Sequence, residues 1–175
     1  RGTGGSPAEM VEAMADAYHI PLWEGQTVRP EVWIEKEALV GVIEGVCYGL
    51  DVPYFACRGY VSQSEAWRAG KRIRDREAVD QRTVSLHLGD HDPSGIDMTR
   101  DNDDRARMLS WAGPVEVQRL ALNIDQVEEY DPPPNPAKMT DSRYAAYADE
   151  YGDDSWELDA LEPKVLRALV DEHVE

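Results

Sequence analysis

Asp90 and Asp92 flank His91 in the stretch Gly89-Asp90-His91-Asp92-Pro93-Ser94-Gly95-Ile96-Asp97. They follow the alternating run Thr83-Val84-Ser85-Leu86-His87-Leu88, which reads as a strand. Side chains two apart on a strand share a side, so both aspartates are expected to project together from its C-terminal end. Two carboxylates that close repel, and one holds a proton unless a cation lies between them. Pro93-Ser94-Gly95 breaks the strand and can open a helix, whose free N–H groups favour an anion such as phosphate. The chemistry this spacing suggests is a divalent cation beside a phosphate. The plain structural alternative is a surface turn rich in Asp, Pro and Gly. His91, between the aspartates, should point away from them as an exposed side chain.

A second acid sits on a different element. Glu31-Val32-Trp33-Ile34-Glu35 reads as a short apolar strand ending in a carboxylate. A helix follows, from about Lys36 to Leu50, with Leu39, Val42, Ile43, Val46 and Cys47 at helical spacing and therefore one buried face. Such a strand–helix–strand unit puts Glu35 at the C-terminal edge of a parallel sheet, where open α/β sheets collect ligands. Hard oxygen donors without a cysteine cluster suit Mg²⁺ or Mn²⁺ rather than Zn²⁺. An ion of that kind polarises a phosphoryl oxygen and stabilises the charge that develops as a P–O bond breaks.

Further strands are expected at Pro53–Cys57 and Val115–Leu122, and helices at Ser64–Asp75 and Ile96–Trp111. The alternation argues for an α/β fold with a mainly parallel four-stranded sheet and right-handed crossovers. Ile34-Glu35-Lys36-Glu37-Ala38, then Arg58-Gly59-Tyr60, then Asp90-X-Asp92-Pro93-X-Gly95-X-Asp97-Met98 together resemble the TOPRIM domain. The likeness is to the version in topoisomerase VI A subunits and the related meiotic double-strand-break transesterases, and it covers about Arg29 to Leu122. The resemblance implies a Rossmann-like TOPRIM fold with a Mg²⁺ (or Mn²⁺) site acting on nucleic-acid phosphodiesters, DNA first among them. It makes Glu35 a metal ligand or general acid/base, and Asp90 and Asp92 the paired metal-binding aspartates. Lys36 and Arg58 fall beside that edge as phosphate or nucleic-acid contacts, or, for Arg58, as the counter-charge of an acidic rim. The topoisomerases carry a nucleophilic tyrosine in a winged-helix domain ahead of the TOPRIM domain. Here only residues 1–28 precede it: a linker-like Arg1-Gly2-Thr3-Gly4-Gly5 and a helix from Ser6 to Tyr18, ended by Pro21. Tyr18 reads as a helix-end aromatic.

The bulk numbers pull against nucleic acid. The chain has 175 residues and a formal net charge of −17, and an acidic protein is repelled by DNA at long range. The charge is uneven: from Asn123 onward there are fifteen acids and four bases, before it twenty and fourteen. Arg68, Lys71, Arg72, Arg74 and Arg76 form a basic run opposed only by Asp75. It is either a solvated helix face or a phosphate track, with Lys71 and Arg72 as its candidate contacts. No stretch has the apolar length of a membrane span or the pattern of a signal peptide. Cys47 and Cys57 read as buried free thiols, which suits a reducing, cytoplasmic compartment.

Residues 123–175 read as an acidic C-terminal extension packed on or beside the TOPRIM-like part, and its end resembles bacterial and phage relatives of that domain. Asn123-Ile124-Asp125-Gln126-Val127 looks like a capped short helix, and Asp131–Pro136 like a stiff extended segment. Tyr144, Tyr147 and Tyr151 recur at helical spacing up to Gly152, as a packing stripe or a base-stacking platform. An amphipathic helix follows Pro163. Lys138, Asp141 and Arg143 lie in an irregular segment and are candidates to complete the site across the sheet edge. The leading expectation is Mg²⁺-dependent phosphodiester cleavage through Glu35, Asp90 and Asp92, of nuclease or topoisomerase type. The alternatives are a metal-binding subunit of a composite DNA-processing complex, whose partner subunit or upstream domain supplies the tyrosine, and an inactive structural module. A homodimer is compatible with each.

Overall fold

The computed structural model describes Ser6 and residues 22–57, 63–110 and 115–174, and the side chains of 63–66, 103 and 105–110 lie outside the description. The helix expected up to Tyr18, its stop at Pro21, the segment bearing Arg58 and the helix end at Trp111 fall outside the described residues.

Apolar alternation produces four strands: β1 (Val28–Ile34), β2 (Tyr54–Ala56), β3 (Arg82–Leu88) and β4 (Val115–Ala121). They form one all-parallel sheet in the order β2-β1-β3-β4. The expected α/β class and four-stranded sheet are present. After β1 the chain makes a 3-10 turn at Glu37–Leu39 and then helix α1 (Val40–Gly49), where one continuous helix was expected. Helix α2 (Gln63–Glu77) joins β2 to β3, and α3 (Pro93–Ser110) joins β3 to β4. Helix α3 starts at Pro93 rather than Ile96 because proline is well placed at the first helical position.

Strands β1 and β3 are neighbours, yet the chain leaves them in opposite directions: from β1 toward β2 and from β3 toward β4. Their C-terminal ends therefore bound a topological switch point, the crevice where open parallel sheets bind ligands. Glu35 follows one strand, and Asp90 and Asp92 follow the other.

The pleat gives the sheet two unlike faces. Val32, Ile34, Leu86, Leu88, Leu120 and Leu122 pack with Ile43 and Cys47 of α1 and with Leu166, Leu169 and Val170 of helix α6 (Pro163–Val174). Each such side chain, fully buried, contributes about 1.5–3 kcal/mol. The C-terminal helix thus belongs to the main core. The other face, toward α2 and α3, has a smaller apolar cluster of Trp33, Cys57, Ala69, Ile73 and Val115. Beside it are the buried polar residues Glu31, Thr83, Ser85, His87 and Asn102. Glu31 accepts from Arg72 at 2.8 and 3.0 Å and from Trp33 Nε1 at 3.2 Å, and pairs with Arg76 at 2.8 Å. Four-residue spacing on α2 turns Arg72 and Arg76 inward together, and Lys71 and Arg74 stay exposed.

Helix α4 (Ile124–Tyr130) is capped as its sequence suggests: the Asn123 N–H donates to Gln126 Oε1 at 2.9 Å. Residues Asn135–Pro136 (β5) and Asp154–Ser155 (β6) form a two-stranded antiparallel ribbon around helix α5 (Tyr144–Tyr151), which Gly152 ends at φ 84°. Both cysteines are free and buried, and burial pushes each thiol up to about 12. Among the described residues no helix is long and apolar enough to cross a membrane.

Candidate functional site

Glu35 extends the β1–β3 ladder by one bond, its N–H donating to the Leu88 carbonyl at 2.8 Å. That register carries its carboxylate to the next strand's exit, where Oε2 accepts from the Asp90 N–H at 3.1 Å. Gly89 makes the approach possible, since a Cβ there would sit 2.8 Å from Glu35 Oε2 and 3.0 Å from His87 Cε1. Asp90 Oδ1 accepts from the Leu158 N–H at 2.7 Å and lies 3.2 Å from Lys36 Nζ. Asp92 Oδ1 accepts from the Gly95 N–H at 2.6 Å, which makes Asp92 the N-cap of α3. A Cβ on Gly95 would collide with the Asp90 carbonyl oxygen. Both aspartates lie beyond the end of β3 at Leu88. A tight loop onto α3 brings them to the rim, and strand alternation, the expected cause, does not operate there.

The three acids share one electrostatic environment. Burial raises the Glu35 carboxyl above its ordinary range, and the charges of Asp90 and Asp92 raise it further. Burial likewise raises Asp90, against the lowering effects of the Leu158 N–H and Lys36. Repulsion here is partly met by a residue that sequence reasoning passed over. Arg119, near the end of β4, donates from Nε to Leu122 O at 3.2 Å and from Nη1 to Gly95 O and Thr99 Oγ1, each at 2.8 Å. Its Nη2 donates to the carbonyls of Gly89 at 3.0 Å and Asp90 at 2.5 Å. All five guanidinium N–H donors are thereby used, and the loop bearing the aspartates is tied to β4. Burial lowers Arg119 to about 10, and the three rim acids oppose that shift. The available signal was parity: Val115, Val117 and Arg119 alternate on a strand, so the arginine had to face α3.

His91 corrects the sequence reading. It is buried, not exposed, and exchanges backbone hydrogen bonds of 2.8 and 2.9 Å with Trp156. Its Nδ1 lies 2.8 Å from the Tyr147 hydroxyl, and the rings of Tyr147, Tyr151 and Trp156 surround it edge-on. Burial lowers the imidazole to about 4. Tyr147 also donates toward the carbonyls of His91 and Asp154, at 3.0 Å each. Tyr147 and Tyr151 therefore pack the extension onto the aspartate loop, whereas Tyr144 donates to Asp153 within the extension.

Other expected contacts lie elsewhere or are already engaged. Lys36 Nζ lies 2.7 Å from Glu157 and 2.9 Å from Asp159 as well as beside Asp90, and these acids hold its ammonium above the ordinary range against the opposing effect of burial. Arg72 is bound to Glu31, well inside the strand, and Lys71 is exposed on α2. Arg143 reaches Asp97 of α3 at 2.8 Å and also pairs with Asp141. Lys138 is exposed, and among the described residues no hydrogen bond or ion pair joins its side chain to the rim.

No protein-family model matches the chain, and no curated protein matches it in sequence.

The donor chemistry of the rim fits a hard cation. The hydrogen bonds above engage Glu35 Oε2, Asp90 Oδ1 and Asp92 Oδ1, which leaves the second oxygen of each carboxylate outside them. Among the described residues no three His, Cys, Asp or Glu side chains are gathered into a ready ligand set. Mg²⁺ commonly keeps several waters and takes only one or two carboxylates together with substrate phosphates. An open cleft of about 460 Å³ is lined by His91, Thr99, Arg100, Arg119, Asn123 and Tyr151, and none of the three rim acids lines it.

Proposed function

We propose that this chain is a Mg²⁺- or Mn²⁺-dependent module acting on nucleic-acid phosphodiesters, of the TOPRIM type. The observation that carries the reading is that Glu35 meets the aspartate loop at the switch point between β1 and β3, its Oε2 accepting from the Asp90 N–H, with the charges of Asp90 and Asp92 close enough to raise it. Glu35 and either aspartate are the groups that would hold the ion, which when bound supplies charge for a phosphoryl oxygen and a polarised water. Glu35, raised mainly by burial, is suited to take and return a proton. Asp92 anchors the N-terminus of α3, where its own carboxylate already takes the Gly95 N–H. Arg119 keeps the loop in place through its carbonyls, and its own donors are all spent on that task.

Purified chain with Mg²⁺ or Mn²⁺ is expected to cleave single- or double-stranded DNA. Asp90→Asn/Asp92→Asn should lower the rate by more than about a hundredfold. Undiminished cleavage by the double variant, or no cleavage of DNA or RNA by the wild type, contradicts the activity.

One observation favours a second reading, a metal-binding subunit of a composite site. Lys36, Arg72 and Arg143 are all engaged by carboxylates of the same chain. The cations that hold the nucleic-acid backbone would then come from a partner. Cleavage restored by adding the native partner, and lost again with Asp90→Asn/Asp92→Asn, would select this reading.

A further inference from the structure

Lys36 follows Glu35 directly, so its ammonium belongs at the same rim, where a phosphate would seek a cation. It is instead enclosed by three carboxylates from distant parts of the chain: Asp90 at 3.2 Å, Glu157 at 2.7 Å and Asp159 at 2.9 Å. Glu157 and Asp159 belong to a strap that runs from β6 into the 3-10 turn at Leu158–Ala160. The strap is fastened on both sides of Glu157, and beyond Asp159 the side chain of Leu161 is buried in the main core. Trp156 exchanges two backbone hydrogen bonds with His91, and the Leu158 N–H donates to Asp90 Oδ1. Leu158 itself is fully buried in the main core. The acid side chains are about half exposed, at 53% and 49%, while Lys36 is at 22%. The strap backbone is therefore fixed, and the two carboxylates remain free to swing away into water.

We propose that Glu157 and Asp159 are a built-in anion mimic, an autoinhibitory contact that keeps Lys36 from phosphate until a polyanion displaces them. The inference rests on the phosphodiester reading above and names the regulation of that site. A half-exposed ion pair is held weakly enough to be exchanged. Exchange transfers one lysine from an internal partner to the incoming backbone. In an acidic protein the same contact raises selectivity, because only a ligand dense in phosphate competes with two tethered carboxylates.

The test uses a short fluorescein-labelled DNA, single-stranded and duplex, followed by anisotropy in calcium over a range of salt. Glu157→Gln/Asp159→Asn is expected to bind on the order of fivefold tighter at low salt, with a salt slope steeper by about one. Adding Lys36→Met to that variant should return both quantities to the wild-type level. Glu128→Gln/Glu129→Gln, which removes two exposed acids on α4, is the charge control and should gain less than about twofold. An equal gain in the control, a gain that survives Lys36→Met, or no gain at all overturns the mimic while leaving the phosphodiester reading standing. If no variant and no wild-type protein binds either DNA, the mimic falls, while the phosphodiester reading is decided by the cleavage assay on DNA and RNA. Thermal melting of each variant separates loss of fold from loss of contact.

Discussion

On the face toward α1 and α6, the strands present Val32, Ile34, Leu86, Leu88 and Leu122 to Ile43, Cys47, Leu166 and Val170. On the face toward α2 and α3, the same strands present Glu31, Thr83, Ser85, His87 and Arg119. The first face stabilises by excluding water from carbon, a term without direction and proportional to area. The second gains little net energy for its size, because a buried ion pair barely repays its desolvation. What it supplies is geometry. Glu31 fixes two helix arginines, and Arg119 fixes five acceptors around the aspartate loop. The candidate site sits where the polar face reaches the rim, so one side of the sheet holds the fold together and the other aims the acids.

Breaking each face should cost similar energy for opposite reasons. Glu31→Leu strands Arg76, which is 6% exposed, and should destabilise the protein by about 3–5 kcal/mol in a denaturant titration. Replacing the whole set, Glu31→Leu with Arg72→Met and Arg76→Met, should recover most of that loss, since no charge is left unpaired. If the triple variant is as unstable as the single one, the polar face contributes stability in its own right and the contrast fails. Leu166→Ala opens a cavity in the apolar face and should cost about 3 kcal/mol. No second removal on that face should restore it.

Acid offers a further separation. Burial lowers His87 to about 3 and His91 to about 4, against about 6.5 in the unfolded chain. Between those values the unfolded state binds protons that the folded state refuses. Stability should therefore fall as pH drops from about 6.5 toward 4, by on the order of 1–3 kcal/mol per histidine. Glu35 and Asp90, both raised mainly by burial, act in the reverse sense and soften the loss as pH falls through their range. Denaturant midpoints at about pH 7 and about pH 4.5 measure the balance. His87→Gln should flatten the slope, and an unchanged slope would mean that His87 is protonated in the fold. The smallest effect belongs to the exposed Arg82–Glu116 pair, 51% and 45% exposed, where Arg82→Ala should change stability by less than about 0.5 kcal/mol.

Local pattern carried most of the architecture. Alternation marked Thr83–Leu88, and helical spacing marked the segments after Glu35 and Pro163. The strand-tip position of Glu35 followed from the same logic. The failures share one cause, contacts between residues far apart in sequence. His91 lies past the end of β3, so alternation says nothing about it. Its burial depends on Tyr147 and Trp156, more than fifty positions away. The strap over Lys36 is longer still in range, joining residues 36 and 159. Asp92 is a different case: Asp-Pro-Ser-Gly carries an N-cap followed by proline at the first helical position, a signal present locally. Strand parity claimed the residue first. Arg119 was legible by parity too, though nothing local reveals that its partners are carbonyls.

The central claim is that Glu35 and the loop bearing Asp90 and Asp92 hold one divalent cation at the switch point, and calorimetric titration with Mn²⁺ tests it most directly. The account predicts one saturable site in the wild type, weakened at least about tenfold by Glu35→Gln and abolished by Asp90→Asn/Asp92→Asn. Absence of saturable binding in the wild type, or binding indifferent to these substitutions, would contradict it.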